Sequence, residues 1–209
     1  MKIAVIGANG KAGKLITAEA VNRGLEVTAV VRSENHTAAQ QVLKKDLFDL
    51  TSDDLKGFDA VVDAFAAWTP ETLGQHSTSL KKLGDLLSGT EVRLLVVGGA
   101  GSLYVNPEHT LALAETPDFP ADYKPLADAM AKSLGELRQR KDVKWTYVSP
   151  AADFQEDGAR TGEYILAGEE FTLNEAGQSE ISYADYAIAM VDEIVKGEHI
   201  GQRISVLGR

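Results

Sequence analysis

Apolar residues fall in short continuous runs from the start of the chain, and each run gives way to a stretch where they recur every three or four positions. Residues 3–6 (Ile-Ala-Val-Ile) read as a buried strand, 14–23 as an amphipathic helix and 25–31 as a second strand. The pattern then predicts a short helix over 37–43, a brief third strand ending near Asp46, a fourth strand over 59–65 and a longer helix over 71–87. A fifth strand at 92–97 (Val-Arg-Leu-Leu-Val-Val) runs into Gly98-Gly99-Ala100-Gly101. A helix over 126–140, a sixth strand at 144–148 stopped by Pro150, a helix over 183–196 and a last strand at 203–207 complete the series. Strands that are apolar throughout are covered on both faces, and strands alternating with helices pair in parallel. The expected fold is therefore α/β, a Rossmann-type doubly wound, mostly parallel sheet with helices on both faces.

Two stretches break the rhythm. Residues 102–125 carry Pro107, Pro117, Pro120 and Pro125 and are long for a connection, a length usual for functional or mobile loops. Residues 151–180 mix glycines, charges and short β-like pieces such as Tyr164-Ile165-Leu166, and read as a small C-terminal appendage on the substrate side. Without repeats, low-complexity segments or linkers, the expectation is one domain over 1–209.

The first strand, turn and helix carry the clearest chemistry. In Gly7-Ala8-Asn9-Gly10-Lys11-Ala12-Gly13, Gly7 suits a tight turn, Gly10 lets a pyrophosphate approach the backbone, and Gly13 lets the helix pack closely on the strand. Helix-terminal amides and their dipole favour the anion. Glycine spacing alone is weak, but here a strand precedes it and a helix follows. The second strand ends not in a carboxylate but in Val31-Arg32-Ser33. Arg32 suits a 2′-phosphate, which a guanidinium grips with two hydrogen bonds; the alternative is a solvated arginine at a strand end. NADP(H) is thus expected over NAD(H).

The Gly-x-x-Gly-x-x-Gly spacing resembles the short-chain dehydrogenase/reductase superfamily, particularly its extended and atypical members. More narrowly, the chain resembles the atypical bacterial group named NADH-flavin reductases, related to biliverdin-IXβ/flavin reductase and to NmrA-like NAD(P)-binding proteins. Four stretches carry the likeness: Gly98-Gly99-Ala100-Gly101-Ser102-Leu103, Thr116-Pro117-Asp118-Phe119-Pro120, Trp145-Thr146-Tyr147-Val148-Ser149-Pro150-Ala151-Ala152 and Ile181-Ser182-Tyr183-Ala184-Asp185-Tyr186-Ala187. The resemblance implies that Asp46 and Leu47 contact the adenine, although Asp46 reads equally as a turn cap. It also implies that Ala64, Phe65 and Ala66, then Gly98, and then Ser149, Pro150 and Ala151 line the cofactor channel.

Alcohol-acting members of that superfamily use a tyrosine with a lysine four residues on. The six tyrosines, Tyr104, Tyr123, Tyr147, Tyr164, Tyr183 and Tyr186, are followed at that spacing by Glu108, Ala127, Ala151, Gly168, Ala187 and Met190. The dyad is missing, which argues against epimerase, dehydratase or alcohol dehydrogenase chemistry of the usual kind. Hydride transfer to a flavin or quinone demands less, because the ring is itself electrophilic and catalysis is mainly alignment. The catalytic group is left open, with Ser102 and Tyr123 as weak candidates. Substrate-side candidates are Trp68, Ser102, Leu103, Tyr104, Tyr123, Phe154, Arg160 and Tyr164. Each has a plainer reading: packing for Trp68 and Phe154, turn capping for Ser102, solvent exposure for Arg160. The four histidines show no metal-ligand spacing, and His76 reads as a packed or solvated helix residue.

Composition narrows the rest. There are no cysteines, which excludes disulfides and thiolate chemistry. A net charge of −10 with pI near 4.9 disfavours nucleic-acid phosphates and anionic membranes as partners. No signal-peptide core or membrane-length apolar run is present. The expectation is a soluble cytoplasmic protein, monomer or dimer, reducing a small planar acceptor with NADPH and taking FMN or FAD as substrate if a flavin. A non-catalytic NADP-sensing regulator is the reading from another class, and a nucleotide-sugar epimerase or dehydratase is a third.

Overall fold

In the computed structural model, which describes residues 1–209, alternate residues of each central strand serve two different cores. Ile3 and Val5 of β1 (Lys2–Ile6) join one apolar cluster, while Ala4 and Ile6 join the other. The chain continues through α1 (Lys11–Asn22), β2 (Glu26–Val31), β3 (Gln41–Lys44), α2 (Ser52–Leu55), β4 (Ala60–Asp63), α3 (Gln75–Leu87) and β5 (Arg93–Val97). It ends through α4 (Lys124–Leu137), β6 (Lys144–Ser149), β7 (Asp153–Gln155), β8 (Ile165–Ala167), β9 (Glu180–Ser182), α5 (Tyr183–Lys196) and β10 (Gln202–Leu207). The eight-stranded sheet runs β3-β2-β1-β4-β5-β6-β10-β8. Every pairing in it is parallel except that of β8 with β10. α1 and α5 pack against each other on one face, α3 and α4 on the other. This is the Rossmann-type doubly wound architecture. The strand order reverses beside β1, where β1 pairs with both β2 and β4, and such a reversal opens a crevice at the carboxyl ends of the strands.

The helix expected over 37–43 does not form. Asn35 Oδ1 accepts from the amide and the hydroxyl of Thr37, at 3.1 and 2.8 Å, which turns the chain. Gln40 then docks on the sheet, its Oε1 accepting from Val27 N–H (2.9 Å) and its Nε2 donating to Leu25 O (3.2 Å). These side-chain bonds to backbone outcompete a helix and lead into β3. The fourth strand ends at Asp63 rather than residue 65, because Asp63 Oδ1 accepts from Phe65 N–H at 3.1 Å and bends the chain. α3 starts at Gln75, four residues later than the pattern suggests, since Thr69 and Thr72 close a hydrogen-bonded turn ahead of it. The stretch over 151–180 resolves into β7, β8 and β9, with β7 and β9 forming a separate two-stranded sheet.

Candidate functional site

The glycine turn leaves β1 at its carboxyl end. Gly7 has φ +71°, and a Cβ there would stand 2.7 Å from the Ala64 carbonyl oxygen. At Gly13 a Cβ would lie 2.3 Å from the Gly7 oxygen and 2.9 Å from the Ala8 Cα, so α1 presses directly onto the strand end. Gly10 caps α1 by accepting from Lys14 N–H (2.9 Å), without any side-chain cap. The amides of Lys11, Ala12 and Gly13 donate to no group of the protein. Three unpartnered helix-start amides, preceded by Gly10 with no side chain to block an approach, have the chemistry of an anion seat, and the residues fit a pyrophosphate. The Lys11 ammonium pairs with Glu156, just past β7, which ties the appendage to the turn.

Asn9 ties the turn to the neighbouring strand end. Its Nδ2 donates to Glu34 O (2.7 Å) and its Oδ1 accepts from His36 N–H (2.9 Å), so the glycine turn fixes the loop beyond β2. Arg32 extends from the same strand end with its side chain 80% exposed, and its Nη1 lies 3.8 Å from Asp46 Oδ2. An ion pair that long and that exposed leaves the guanidinium free to turn to another anion. Asp46 also accepts from Phe48 N–H (2.9 Å), capping the short 3₁₀ turn Leu47–Asp49, and Leu47 is buried. Phe48 and Phe65 meet edge to face, 6.3 Å between ring centres, beside Ala64 and Ala66.

Beneath that segment lies a buried polar cluster with no counterpart in the sequence reading. Asp63 is 4% exposed, and its carboxyl accepts only from Phe65 N–H. Burial pushes its pKa up to about 7, against the smaller opposing pull of that amide. Asp63, Phe65, His76, Ser79, Met130, Ser133 and Tyr147 enclose a cavity of about 10 Å³, near the volume that one water needs. Tyr147 is buried with its hydroxyl unpartnered, and burial raises its pKa to about 12. Gly98, at the end of β5, exists because this ring occupies its side-chain space: a Cβ would stand 2.2 Å from Tyr147 Cε1. His76 is a packed residue, its Nε2 3.0 Å from Ala67 O, with burial lowering its pKa. Ser149, Pro150 and Ala151 follow at the carboxyl end of β6, all buried.

The expected substrate residues divide into three groups. Ser102, Leu103 and Tyr104 lie together just past β5; Leu103 is buried, and Tyr104 stacks on His109 with ring centres 4.6 Å apart. Trp68 and Tyr123 are exposed on the loops leading into α3 and α4, and Lys124 beside Tyr123 is spent on Asp128 at 2.6 Å. The remaining three engage the α1–α5 layer. Phe154 packs on Tyr183 and Tyr186 at 3.8 and 4.8 Å, and Arg160 reaches Glu19 at 3.1 Å. Tyr164 donates to Asp192 (2.7 Å), which also binds Arg23 at the far end of α1 from the glycine turn. Arg203, which the sequence reading passed over as part of an apolar strand, sits behind Ser102 with its side chain wholly buried.

A sequence model of the NAD(P)H-binding family matches residues 7–195. YwnB of Bacillus subtilis (strain 168), an uncharacterized protein, is 46% identical over 210 residues, covering 99% of this chain and 98% of that protein. SP1627 of Streptococcus pneumoniae TIGR4, whose crystal structure is described as that of a "putative NADH-flavin reductase", is 60% identical with a TM-score of 0.98, each chain covered in full. A protein of Bacteroides thetaiotaomicron described as a "putative epimerase" is 36% identical with a TM-score of 0.86, covering 99% of this chain and 96% of that one. No helix of the chain is long and apolar enough to cross a membrane.

Proposed function

The chain belongs to the NAD(P)H-binding family, and from that premise we propose that it is an NADPH-dependent oxidoreductase passing a hydride to a flavin, quinone or similar planar acceptor. The observation that carries the reading is the seat of three unpartnered amides, Lys11, Ala12 and Gly13, with the exposed, loosely paired guanidinium of Arg32 at the end of the adjacent strand. The amides take the pyrophosphate. Arg32 leaves Asp46 for the 2′-phosphate, a dianion that competes well with one distant carboxylate. Asp46, Leu47, Ala64, Phe65 and Ala66 border the adenosine half, and Gly98, Ser149, Pro150 and Ala151 the nicotinamide half. Bound NADPH supplies the hydride. The protein's share is then to hold an acceptor flat against the cofactor, and alignment of this kind is worth about 7–11 kcal/mol of barrier.

The acceptor class rests on the resemblance to the flavin-reductase group and on chemistry. No tyrosine has a lysine four residues on, and Tyr123, the sole tyrosine beside a lysine, has that lysine engaged elsewhere. A carbonyl substrate needing a proton in the same step is poorly served by such a site; an electrophilic ring is well served. Ser102, partly open at the end of β5, orients the acceptor by hydrogen bonding. The test is steady-state NADPH oxidation, followed by the loss of nicotinamide absorbance, against FMN, FAD and a set of simple quinones. Turnover on a flavin or quinone supports the proposal. Tight NADPH binding without turnover on any of them would replace it with the sensor reading.

A further inference from the structure

Arg203 occupies a place that an apolar residue would fill at less cost. It lies in β10 opposite Tyr147 of β6, one strand in from the sheet edge, and its side chain is 0% exposed. Burying a guanidinium costs several kcal/mol unless its donors are met. All three nitrogens have partners. Nε and Nη2 reach Glu169 Oε2 at 2.8 and 2.5 Å, and Nη2 also reaches the carbonyls of Ser102 (3.1 Å) and Glu169 (3.3 Å). Nη1 donates to Ser102 Oγ at 3.2 Å and to Ser149 Oγ at 3.5 Å. Glu169 is anchored in turn by Arg138 at the end of α4 (2.7 Å), and its carbonyl accepts from Tyr104 N–H (3.0 Å). The guanidinium also lies 5.9 Å from the centre of the Tyr104 ring.

The consequence falls on the Ser102 hydroxyl. One of its lone pairs is taken by a cation, which drives the O–H proton to the opposite side of the oxygen and strengthens it as a donor. That proton has no acceptor in the protein. Ser149 is in the same position but fully buried, whereas Ser102 is partly open where the acceptor is expected. We propose that Arg203, held by Glu169, is a positioning residue that fixes Ser102 as a hydrogen-bond donor to a ring carbonyl oxygen of the acceptor. This rests on the planar-acceptor reading above, and it assigns the substrate a chemistry: a carbonyl oxygen that gains negative charge as the ring accepts a hydride.

The test uses the full chain saturated with NADP⁺, so that binding is read without turnover. Dissociation constants of FMN and of 2-methyl-1,4-naphthoquinone are measured by fluorescence quenching for wild type, Ser102→Ala, Ser102→Thr, Arg203→Lys and the Ser102→Ala/Arg203→Lys double variant. Loss of one such hydrogen bond weakens binding roughly three- to tenfold. Ser102→Ala and Arg203→Lys should each show that loss, the double variant should lose no more than either alone, and Ser102→Thr should stay within about twofold. NADP⁺ affinity should be the same in all. If Arg203→Lys does not fold, Glu169→Gln takes its place, since it frees the guanidinium while keeping the arginine. Independent losses in the double variant, no loss in Ser102→Ala, or binding of neither probe by wild type would overturn the proposal. A probe that binds in the expected pattern but is never reduced by NADPH would overturn the oxidoreductase reading and leave the role of Arg203 standing.

Discussion

Replacing Asp63 by asparagine should change how stability responds to pH, by an amount set by the burial of one carboxyl. An aspartate in the unfolded chain has a pKa near 3.8, and in the fold Asp63 is held at about 7. A carboxyl whose folded pKa is raised favours folding while protonated, so stability is full below about pH 4 and declines as the pH climbs toward 7. Above that the cost levels off. The linkage relation gives a cost of about 2 kcal/mol at pH 5 and about 4 kcal/mol at pH 8 for these two pKa values, a difference of roughly 2–3 kcal/mol. The asparagine variant would have no such cost at either pH, and its side-chain oxygen can still accept from Phe65 N–H. All other titrating groups are common to both proteins and cancel. At roughly 2–4 °C per kcal/mol for a chain of this size, the Tm of Asp63→Asn relative to wild type should rise by about 5–10 °C between pH 5 and pH 8. Differential scanning fluorimetry of both proteins across that range measures it. A gap that stays constant with pH would show that Asp63 ionises normally and that the buried cluster is misread.

Three further substitutions probe the site. Gly10→Val should fold, because a Cβ there meets just the Gly7 oxygen at 3.1 Å, yet lose NADPH binding as the branched side chain fills the pyrophosphate space; Gly13→Ala, whose Cβ would lie 2.3 Å from backbone, should instead lower Tm by several degrees. NADPH titrations and thermal melts on the two variants separate these outcomes, and normal NADPH affinity in Gly10→Val would discard the turn as the binding site. Arg32→Ala should weaken NADPH roughly tenfold and leave NADH unchanged, the modest size following from the exposure of the side chain; equal loss for both cofactors would assign Arg32 another role. Tyr123→Phe should change kcat/KM for the best acceptor by no more than severalfold, since Tyr123 is exposed and its neighbouring lysine is engaged with Asp128; a thousandfold drop with intact cofactor affinity would restore a proton-transfer mechanism.

The parts of the fold that local pattern decides were readable in the chain. β1 and β5 announce themselves as continuous apolar runs, β2 and β6 as apolar runs interrupted by a single threonine (Thr28 and Thr146), and Tyr183–Lys196 forms the helix that its periodicity predicts. What failed depended on partners far away in sequence. The 37–43 stretch has acceptable helical composition, but Gln40 finds backbone bonds on β2 that no local rule anticipates. The three-residue strands β7, β8 and β9 exist because β9 and β10 lie near enough to pair with their neighbours. Gly7 and Gly13 were legible because each answers a steric demand of a strand–turn–helix junction, whereas the partners of the loop side chains were not. Arg160 and Tyr164 look available in sequence, yet Glu19 and Asp192, distant along the chain, bind them to the α1–α5 layer. Asp63 and Arg203 were visible as charges within apolar strands, a signal of either a strand edge or a buried polar cluster; the fold places both in the interior.

The central claim, that the amides from Lys11 to Gly13 seat the pyrophosphate of NADPH, is tested most directly by calorimetric titration of NADPH into the purified chain, with Gly10→Val titrated in parallel. The account predicts one saturable site per chain in the wild type, tighter for NADPH than for NADH, and no detectable heat of binding in the folded variant. A wild type that binds neither dinucleotide, or a Gly10→Val protein that binds NADPH as tightly as the wild type, would contradict it.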